Sequence, residues 1–541
     1  MAPPSPRSPI VGDLVGSVSL AGLMVPEAIA YSAIAGLPAS FGLMAAITGP
    51  IAYAINGRSR LAVVTATSGA AALLAAAISN AGIADVPRSE CALALTFLIG
   101  IFFLLGAAFR LASLTSFVSR AVLHGFGLGL AITITIRQLP NLFGLGISQG
   151  PPLQILGSMI ANARSIHGPS AMLGCLALLF AWLCRRFKFS AGGLVLTVSA
   201  VLAMHFGPAG HFGIRTAGPL DLNFAAPHLP ALPARDWARL SQLALPVALV
   251  ILAESWATIR SLAAPRGEAV SAEREITALG LSNLASALFR GLPVGAGFSI
   301  GNASEQAGTA SRAGAVLAAI IAGVAAFGAA GWMALIPEPV LAAIVISALA
   351  HALSPKPIYS LFRLDRDQWV AIAAAVGVLL LGIVNGLLIA VALSVLGLLR
   401  RLAYPSLSEL GRTGAHDFVD CSTHPEAAPV AGMLVIRPNA PLFFGNAETI
   451  LFDIGRRARK ERAKTIILSL EETDDLDSST LEALLEFRQA MAAQGRSLIL
   501  ARVHDRARTV LDRGGLADLA QAGTFSVDDA VSMAARAPLM E

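Results

Sequence analysis

Charge is what this chain has least of. Asp, Glu, Lys and Arg make up 13% of its 541 residues, against 55% hydrophobic ones, and the mean hydropathy is +0.70. Soluble domains carry about twice that share of charge, so a water-borne globular fold is excluded. The net charge of +5 has too little behind it for a nucleic-acid surface and reads as a topology signal. Cysteine is scarce as well. Cys91, Cys175, Cys184 and Cys421 follow no metal spacing, and three of them sit in apolar runs where a thiol packs as a small hydrophobe. Also missing are a nucleophile with its base, a phosphate-binding glycine loop and a cluster of metal ligands, which speaks against an enzyme and against a cofactor.

What is present is apolar length. Runs of about 18 to 22 residues, enough to cross about 30 Å of hydrocarbon as a helix, begin almost at Met1 and stop near Arg401. About fourteen spans are predicted, near 10–33, 36–55, 62–80, 90–110, 117–137, 170–184, 190–206, 243–262, 274–290, 299–308 with its flanks, 311–330, 332–352, 367–384 and 386–400. The amphipathic stretch 153–164 is expected at the interface. The first run follows Arg7 but is too long for a cleaved signal, contains Pro26 and Glu27, and leads straight into further spans. With an even span count and the N-terminus inside, Arg58, Arg60, Arg185, Arg186, Arg260, Arg266, Arg274, Arg312, Arg400 and Arg401 fall on the inner side. The positive-inside rule therefore favours two cytoplasmic termini.

The tail differs in character. Strand-like GMLVIRPN, PLFFG, TIILSL and SLILARV alternate with helical NAETILFDIGRRARKERA and SSTLEALLEFRQAMAAQG, the pattern of a small α/β domain. The expected division is a transmembrane domain over 1–401, a linker over 402–430 and the α/β domain over 431–541. The basic block Arg456 to Lys464 reads as a solvated helix face, with contact to anionic headgroups as its alternative.

Four places in the apolar half carry chemistry. In VPEAIAYSAIAGLP, Glu27 follows Pro26 inside a span. An intramembrane carboxylate marks a pathway, a coupling ion or a partner, the structural alternative being a pairing with a helix end. Pro26 removes a backbone donor, leaving polar backbone able to line a cavity. In LVILAESWATIR, Glu254 and Thr258 share a helix face; together they can hold Na⁺ or carry a proton, or Glu254 can pair with Arg260. VVTATSGAAALL and VGAGFSIGNASEQAG are short, glycine- and hydroxyl-rich segments. Each reads as a half-helix whose N–H groups open at membrane depth, a way to hold an anion without a basic side chain. One such segment would suggest close helix packing, whereas two in corresponding halves suit an inverted-repeat transporter.

These residues resemble the SulP sulfate permease family, which includes animal anion exchangers. LMVPEAIAYSAIAGLPASFGLMAA resembles its signature of the first two helices, AESWATIR its eighth-helix motif, and GLSNLASALFRGLPVGAGFSIGNASEQAG its ninth-to-tenth helix region. The tail, with LDSSTLEAL, is similar to a STAS domain. The resemblance implies two inverted seven-helix repeats in an all-α polytopic membrane domain, arranged as core and gate as in uracil permease, followed by a cytoplasmic α/β STAS domain. It implies an anion held by Thr65, Thr67, Ser68, Gly69 and Ala70 on one side and by Phe298, Ser299, Ile300 and Gly301 on the other. Glu27 would match a proton-coupling carboxylate, and Glu254 with Thr258 a sodium site. The family often carries an arginine after the serine of the tenth-helix motif, whereas Ile300 follows Ser299 here, which weakens the case for divalent sulfate. Thr67 and Ser68 replace the usual Gly-Pro start of the third span. Asp477, Ser478 and Ser479 match a segment phosphorylated in stand-alone relatives, with helix capping as their alternative role here.

The expectation is a secondary active transporter of a bacterial inner membrane, taking up bicarbonate, sulfate or a dicarboxylate with H⁺ or Na⁺ by alternating access. Membrane lipids and a second copy of the chain are its expected partners. An uncoupled channel or exchanger, and a membrane-tethered regulator whose STAS domain is the output, are the alternatives.

Overall fold

The computed structural model describes residues 9–83, 85–110, 119–147, 150–187, 189, 191–207, 212–218, 227–350, 352–365, 367–414 and 416–536; Arg7 and residues 117 and 118 of the fifth predicted span lie outside them. The chain forms two compact units that divide between Ser394 and Val395.

The first unit is helical. Its elements are α1 (Pro9–Ala35), α2 (Ala39–Asn56), β1 (Val64–Ala66), α3 (Ser68–Ala81), α4 (Arg88–Ala108), α5 (Arg120–Leu142), α6 (Pro152–Ala161), α7 (Gly168–Arg186), α8 (Gly192–Phe206) and α9 (Ala234–Ala263). Then follow α10 (Ala272–Leu288), β2 (Val294–Ala296), α11 (Phe298–Ala307), α12 (Arg312–Gly328), α13 (Ala330–Met333), α14 (Glu338–Leu349), α15 (Lys356–Leu364), α16 (Gln368–Leu381) and α17 (Ile383–Ala403). Among the described residues seven helices are long and apolar enough to cross a membrane. α11 and α12 pass the same test only when taken together and are bent by 104° at the break between them, and α3, α8, α14 and α16 are shorter apolar helices. The predicted span 332–352 is broken where α13 gives way to α14, because Pro337 has no N–H to continue a helix and sits naturally just ahead of a new one.

The helices sort into two packed groups. In one, α10 lies on α4 and α2, and α1 on α12, α2, α11 and α3; in the other, α14 lies on α7 and α5, and α16 on α5. Glycine permits the closest crossings. A Cβ on Gly42 of α2 would stand 1.9 Å from the Ala28 carbonyl oxygen of α1, and the Gly42 N–H donates to Ser32 Oγ at 2.7 Å. Buried carboxylates tie the first group. Asp13 accepts from the Ala310 N–H at 2.7 Å, the Ser311 N–H at 3.1 Å and the Ser311 hydroxyl. Glu275 accepts from the Tyr53 hydroxyl at 2.6 Å and the Arg58 N–H at 2.8 Å.

The second unit carries β3 (Leu407–Thr413), β4 (Asp417–Asp420), β5 (Met433–Pro438), β6 (Thr465–Ser469) and β7 (Ser497–Ala501) in the order β4-β3-β5-β6-β7. β5, β6 and β7 run parallel, and β3 is antiparallel to β4 and β5. Side chains alternate along β5: Leu434 and Ile436 face a core shared with α18 (Ala447–Lys460) and α19 (Ser478–Ala492), and Val435 faces one shared with α22 (Val527–Arg536). The stretch 402–430, expected as a linker, contains β3 and β4. PLFFG, expected as a strand, is a turn into α18, since Asn446 Oδ1 accepts the Phe443 N–H at 2.9 Å and its Nδ2 donates to the Pro441 carbonyl at 2.9 Å. In the basic block, Arg456, Arg459 and Lys460 are exposed on α18.

Two predictions follow from packing and charge. Gly42→Ala must push α1 and α2 apart against backbone, an overpacking worth at least about 1 to 3 kcal/mol. It should lower the melting temperature of the detergent-extracted protein by several degrees, and unchanged melting would contradict the crossing. In the second unit, Asp420 accepts from the hydroxyl groups of Ser408 and Ser422 and from the Ser422 N–H, which hold its carboxyl down at about 2 from an ordinary 3.8. That support is complete above pH 4 and is lost as pH falls through about 2. Asp420→Asn should flatten this limb of an acid-unfolding curve.

Candidate functional site

Short strands inside a membrane domain have to find all their hydrogen bonds in protein. β1 and β2 pair antiparallel, Val64 opposite Ala296, Thr65 opposite Gly295 and Ala66 opposite Val294, and all six residues are buried. Asn283 of α10 completes the arrangement: its Oδ1 accepts the Val294 N–H at 3.0 Å and its Nδ2 donates to the Val294 and Leu279 carbonyls at 2.9 Å. Ser255 Oγ of α9 accepts the Ala296 N–H at 3.0 Å.

Each strand runs directly into a half-helix, so α3 and α11 begin side by side. Their first turns line a cavity of about 360 Å³. Thr67 and Ser68 line it from α3, and Phe298, Ser299 and Ile300 from α11. The two ends differ. Thr67 caps α3, its Oγ1 accepting the Ala70 N–H at 3.1 Å, whereas Gly297 offers α11 no side-chain cap. Of the other predicted residues, Thr65 is inside β1, Gly69 and Ala70 lie behind the cavity wall in α3, and Gly301 abuts Leu262 and Thr258.

Two carboxylates enter the same cavity. Glu27 is 3% exposed, and its Oε1 is buried with no hydrogen-bond partner; Tyr31, one turn on, sits beside it. Glu254 of α9 lines it too, and a Cβ at position 69 would lie 3.0 Å from its Oε2, so this carboxylate rests against the first turn of α3. Thr258 is buried one turn further along α9 and does not line the cavity. Among the described residues the only basic one lining the cavity is Arg185 at the end of α7, whose Nη1 donates to the Ser347 carbonyl at 3.2 Å. Sequence reasoning treated Arg185 as a topology marker and passed over Tyr31, although the Glu27-to-Tyr31 spacing of four was in view. Ser347 and Gln306 also line the cavity; nothing local in α14 signals Ser347.

A model of the sulfate permease family matches residues 10–375, and a STAS domain model matches residues 424–530. The chain belongs to the sulfate permease family. It is an integral membrane protein of a transporter family with a C-terminal STAS domain. A probable sulfate transporter of Mycobacterium tuberculosis is 30% identical over 520 residues, covering 94% of this chain and 92% of that one. The chloroplastic sulfate transporter 4.1 of Arabidopsis thaliana is 26% identical, covering 96% and 79%. The fold is also that of murine solute carrier 26 family member A9, an anion transporter solved in the inward-facing state, with a TM-score of 0.88 at 20% identity over 98% of this chain and 92% of that one. The transmembrane domain of a cyanobacterial bicarbonate transporter superposes with a TM-score of 0.62 at 20% identity, covering 71% and 98%.

In the STAS domain Asp477 caps α19, its Oδ1 accepting the Thr480 N–H at 2.8 Å, while Ser478 and Ser479 are exposed in the first turn. The cap at the cavity is the one to test. Thr67→Val removes the hydroxyl that fixes the start of α3, at about 1 kcal/mol. The protein should fold, and apparent anion affinity should drop about fivefold; an unchanged titration would take Thr67 out of the site.

Proposed function

We propose that the chain is a secondary active transporter that takes up a small oxyanion or carboxylate, among them sulfate, bicarbonate and dicarboxylates, together with H⁺ or Na⁺. The observation that carries this reading is the meeting of two half-helix N-termini and two carboxylates in one cavity whose described lining holds a single basic residue, Arg185. The helix ends supply about half a positive charge each, enough to attract an anion and too little to neutralise one beside two ionised carboxylates. At an effective dielectric constant of about 20, a unit anion some 5 Å from an ionised carboxylate is repelled by about 3 kcal/mol. Removing the negative charge of Glu254, by a proton or by Na⁺, therefore raises anion affinity about a hundredfold. Because linkage is reciprocal, the anion favours cation binding equally. Coupling is then electrostatic: the loaded site is nearly neutral and can change its exposure, while the half-loaded site cannot.

The absence of a cation at position 300 sharpens the expectation. A monoanion is balanced by neutralising one carboxylate and a dianion by neutralising both, so Glu27 and Glu254 together admit either class with different cation stoichiometry. Arg185 raises the local anion concentration at the cavity mouth. Both termini are assigned to the cytoplasm of a bacterial inner membrane, and the STAS domain to regulation and dimer contacts.

Proteoliposomes with imposed pH or Na⁺ gradients test this with labelled sulfate, bicarbonate and fumarate. Gradient-driven accumulation is expected, with a steeper dependence on the driving ion for sulfate than for bicarbonate. Glu254→Gln, a permanently neutral mimic, should still bind anion and lose accumulation. Should Glu27→Gln, Glu254→Gln and the double variant all keep full accumulation with unchanged pH and Na⁺ dependence, the coupling role is wrong.

A further inference from the structure

α3 has a second cavity at its other end. Ser68, its first residue, lines the central cavity, whereas Ala75, Ala76, Ser79 and Asn80 line a separate one of about 260 Å³. At 1.5 Å per residue the eleven-residue step from Ser68 to Ser79 spans about 16 Å, and between the two cavities Ala70 to Leu74 are fully buried. The remaining walls are Arg88 at the start of α4, Arg137 of α5, Gly150, the last residue of α16, and residues 382–385 around the start of α17.

The chemistry of this second cavity is cationic. Its described lining contains two arginines and no carboxylate. Arg88 spends its Nε and Nη2 on the Ala35 carbonyl at 3.2 and 3.0 Å, which fixes the guanidinium in place. Arg137 is different: its Nε is buried and has no hydrogen-bond partner, and no carboxylate forms an ion pair with it among the described residues. A guanidinium that no described residue holds is open to an anionic acceptor entering the cavity. α17 adds to the field. Gly382, at φ +87°, breaks the chain between α16 and α17, and the new helix opens at Ile383, with residues 383–385 of its first turn in the cavity wall. The carbonyl end of α3 opposes with about half a negative charge, less than either arginine contributes.

We propose that this cavity is a second anion-binding station, built around Arg137 and the first turn of α17, that takes a small inorganic anion at the end of α3 away from the central cavity. Arg137 acts there as the specificity-determining cation that the central site lacks at position 300. An anion waiting at this station is about 16 Å from the central site along α3, close enough to enter it when the protein exposes that side. The station rests on the reading of the chain as an anion transporter only for its place on the transport path; its affinity for an anion is independent of flux.

The test therefore has a binding arm and a flux arm. Equilibrium binding of labelled sulfate and of chloride to purified full-length protein in detergent is measured for the wild type, Arg137→Gln, Arg137→Lys and Asn385→Leu. Two classes of site are expected in the wild type. Arg137→Gln should weaken one class by about tenfold to a hundredfold and leave the other, while Arg137→Lys keeps most of it and Asn385→Leu weakens it less. In oriented proteoliposomes Arg137→Gln should raise KM for anion added on the Arg137 side, with KM from the opposite side unchanged. A wild type with one class of site or none, or an Arg137→Gln protein with wild-type binding, overturns the station. Two classes of site in a protein that moves no anion would keep the station and overturn the transport reading; equal KM changes from both sides would overturn its sidedness.

Discussion

A peptide group without a hydrogen bond is costly in water and prohibitive in hydrocarbon, where each one costs several kcal/mol. Everything at the centre of this protein follows from meeting that demand at two points where the helix is interrupted. β1 and β2 satisfy one another, Asn283 and Ser255 satisfy what the pairing leaves, and the chain is then free to begin α3 and α11 in mid-membrane. The helix starts that result open side by side on the central cavity. Irregular backbone in this fold is thus the means of placing N–H groups where no charged side chain is needed.

The carboxylates of the membrane unit fall into two kinds. Asp13 and Glu275 are surrounded by donors, three for Asp13 and two for Glu275, and each ties elements distant in sequence. A buried carboxylate so well served holds structure together. Glu27 and Glu254 have few donors and a cavity in front of them. A carboxylate in that position is held by little but its surroundings in the cavity, and it is on these two that the proposed coupling rests. Donor count, more than burial, distinguishes the two pairs here.

Much of this was legible in the sequence, and the reason is local chemistry. Pro26-Glu27 in an apolar run, Glu254 with Thr258 on one helix face, and the paired glycine- and hydroxyl-rich segments each announce themselves within a dozen residues. Reading them gave the two half-helices and both cavity carboxylates. What escaped depends on contacts between segments. Ser347 lines the cavity only because α14 reaches it, and Arg185, legible as a charge at a helix end, becomes a lining residue only through the packing of α7 on α14. Asp13 and Glu275 look like ordinary polar residues near span ends until their partners, 298 and 217 to 222 residues away, are known. PLFFG has strand composition, yet the amide of Asn446 claims the backbone first. The segment after α17 reads as a linker because β3 and β4 alternate only weakly between apolar and polar residues, their pairing with β5 supplying what composition does not.

The β1–β2 pairing also limits how this protein can move. Stitched by backbone hydrogen bonds and pinned by one asparagine, the beginnings of α3 and α11 form a single piece, and no low-energy path separates them inside a bilayer. The grip on an anion cannot be relaxed by opening the two halves like jaws. On the transport reading proposed above, cargo would travel with its binding residues intact, as a passenger in a closed carriage, and access would change through sliding of the surrounding helices past that carriage.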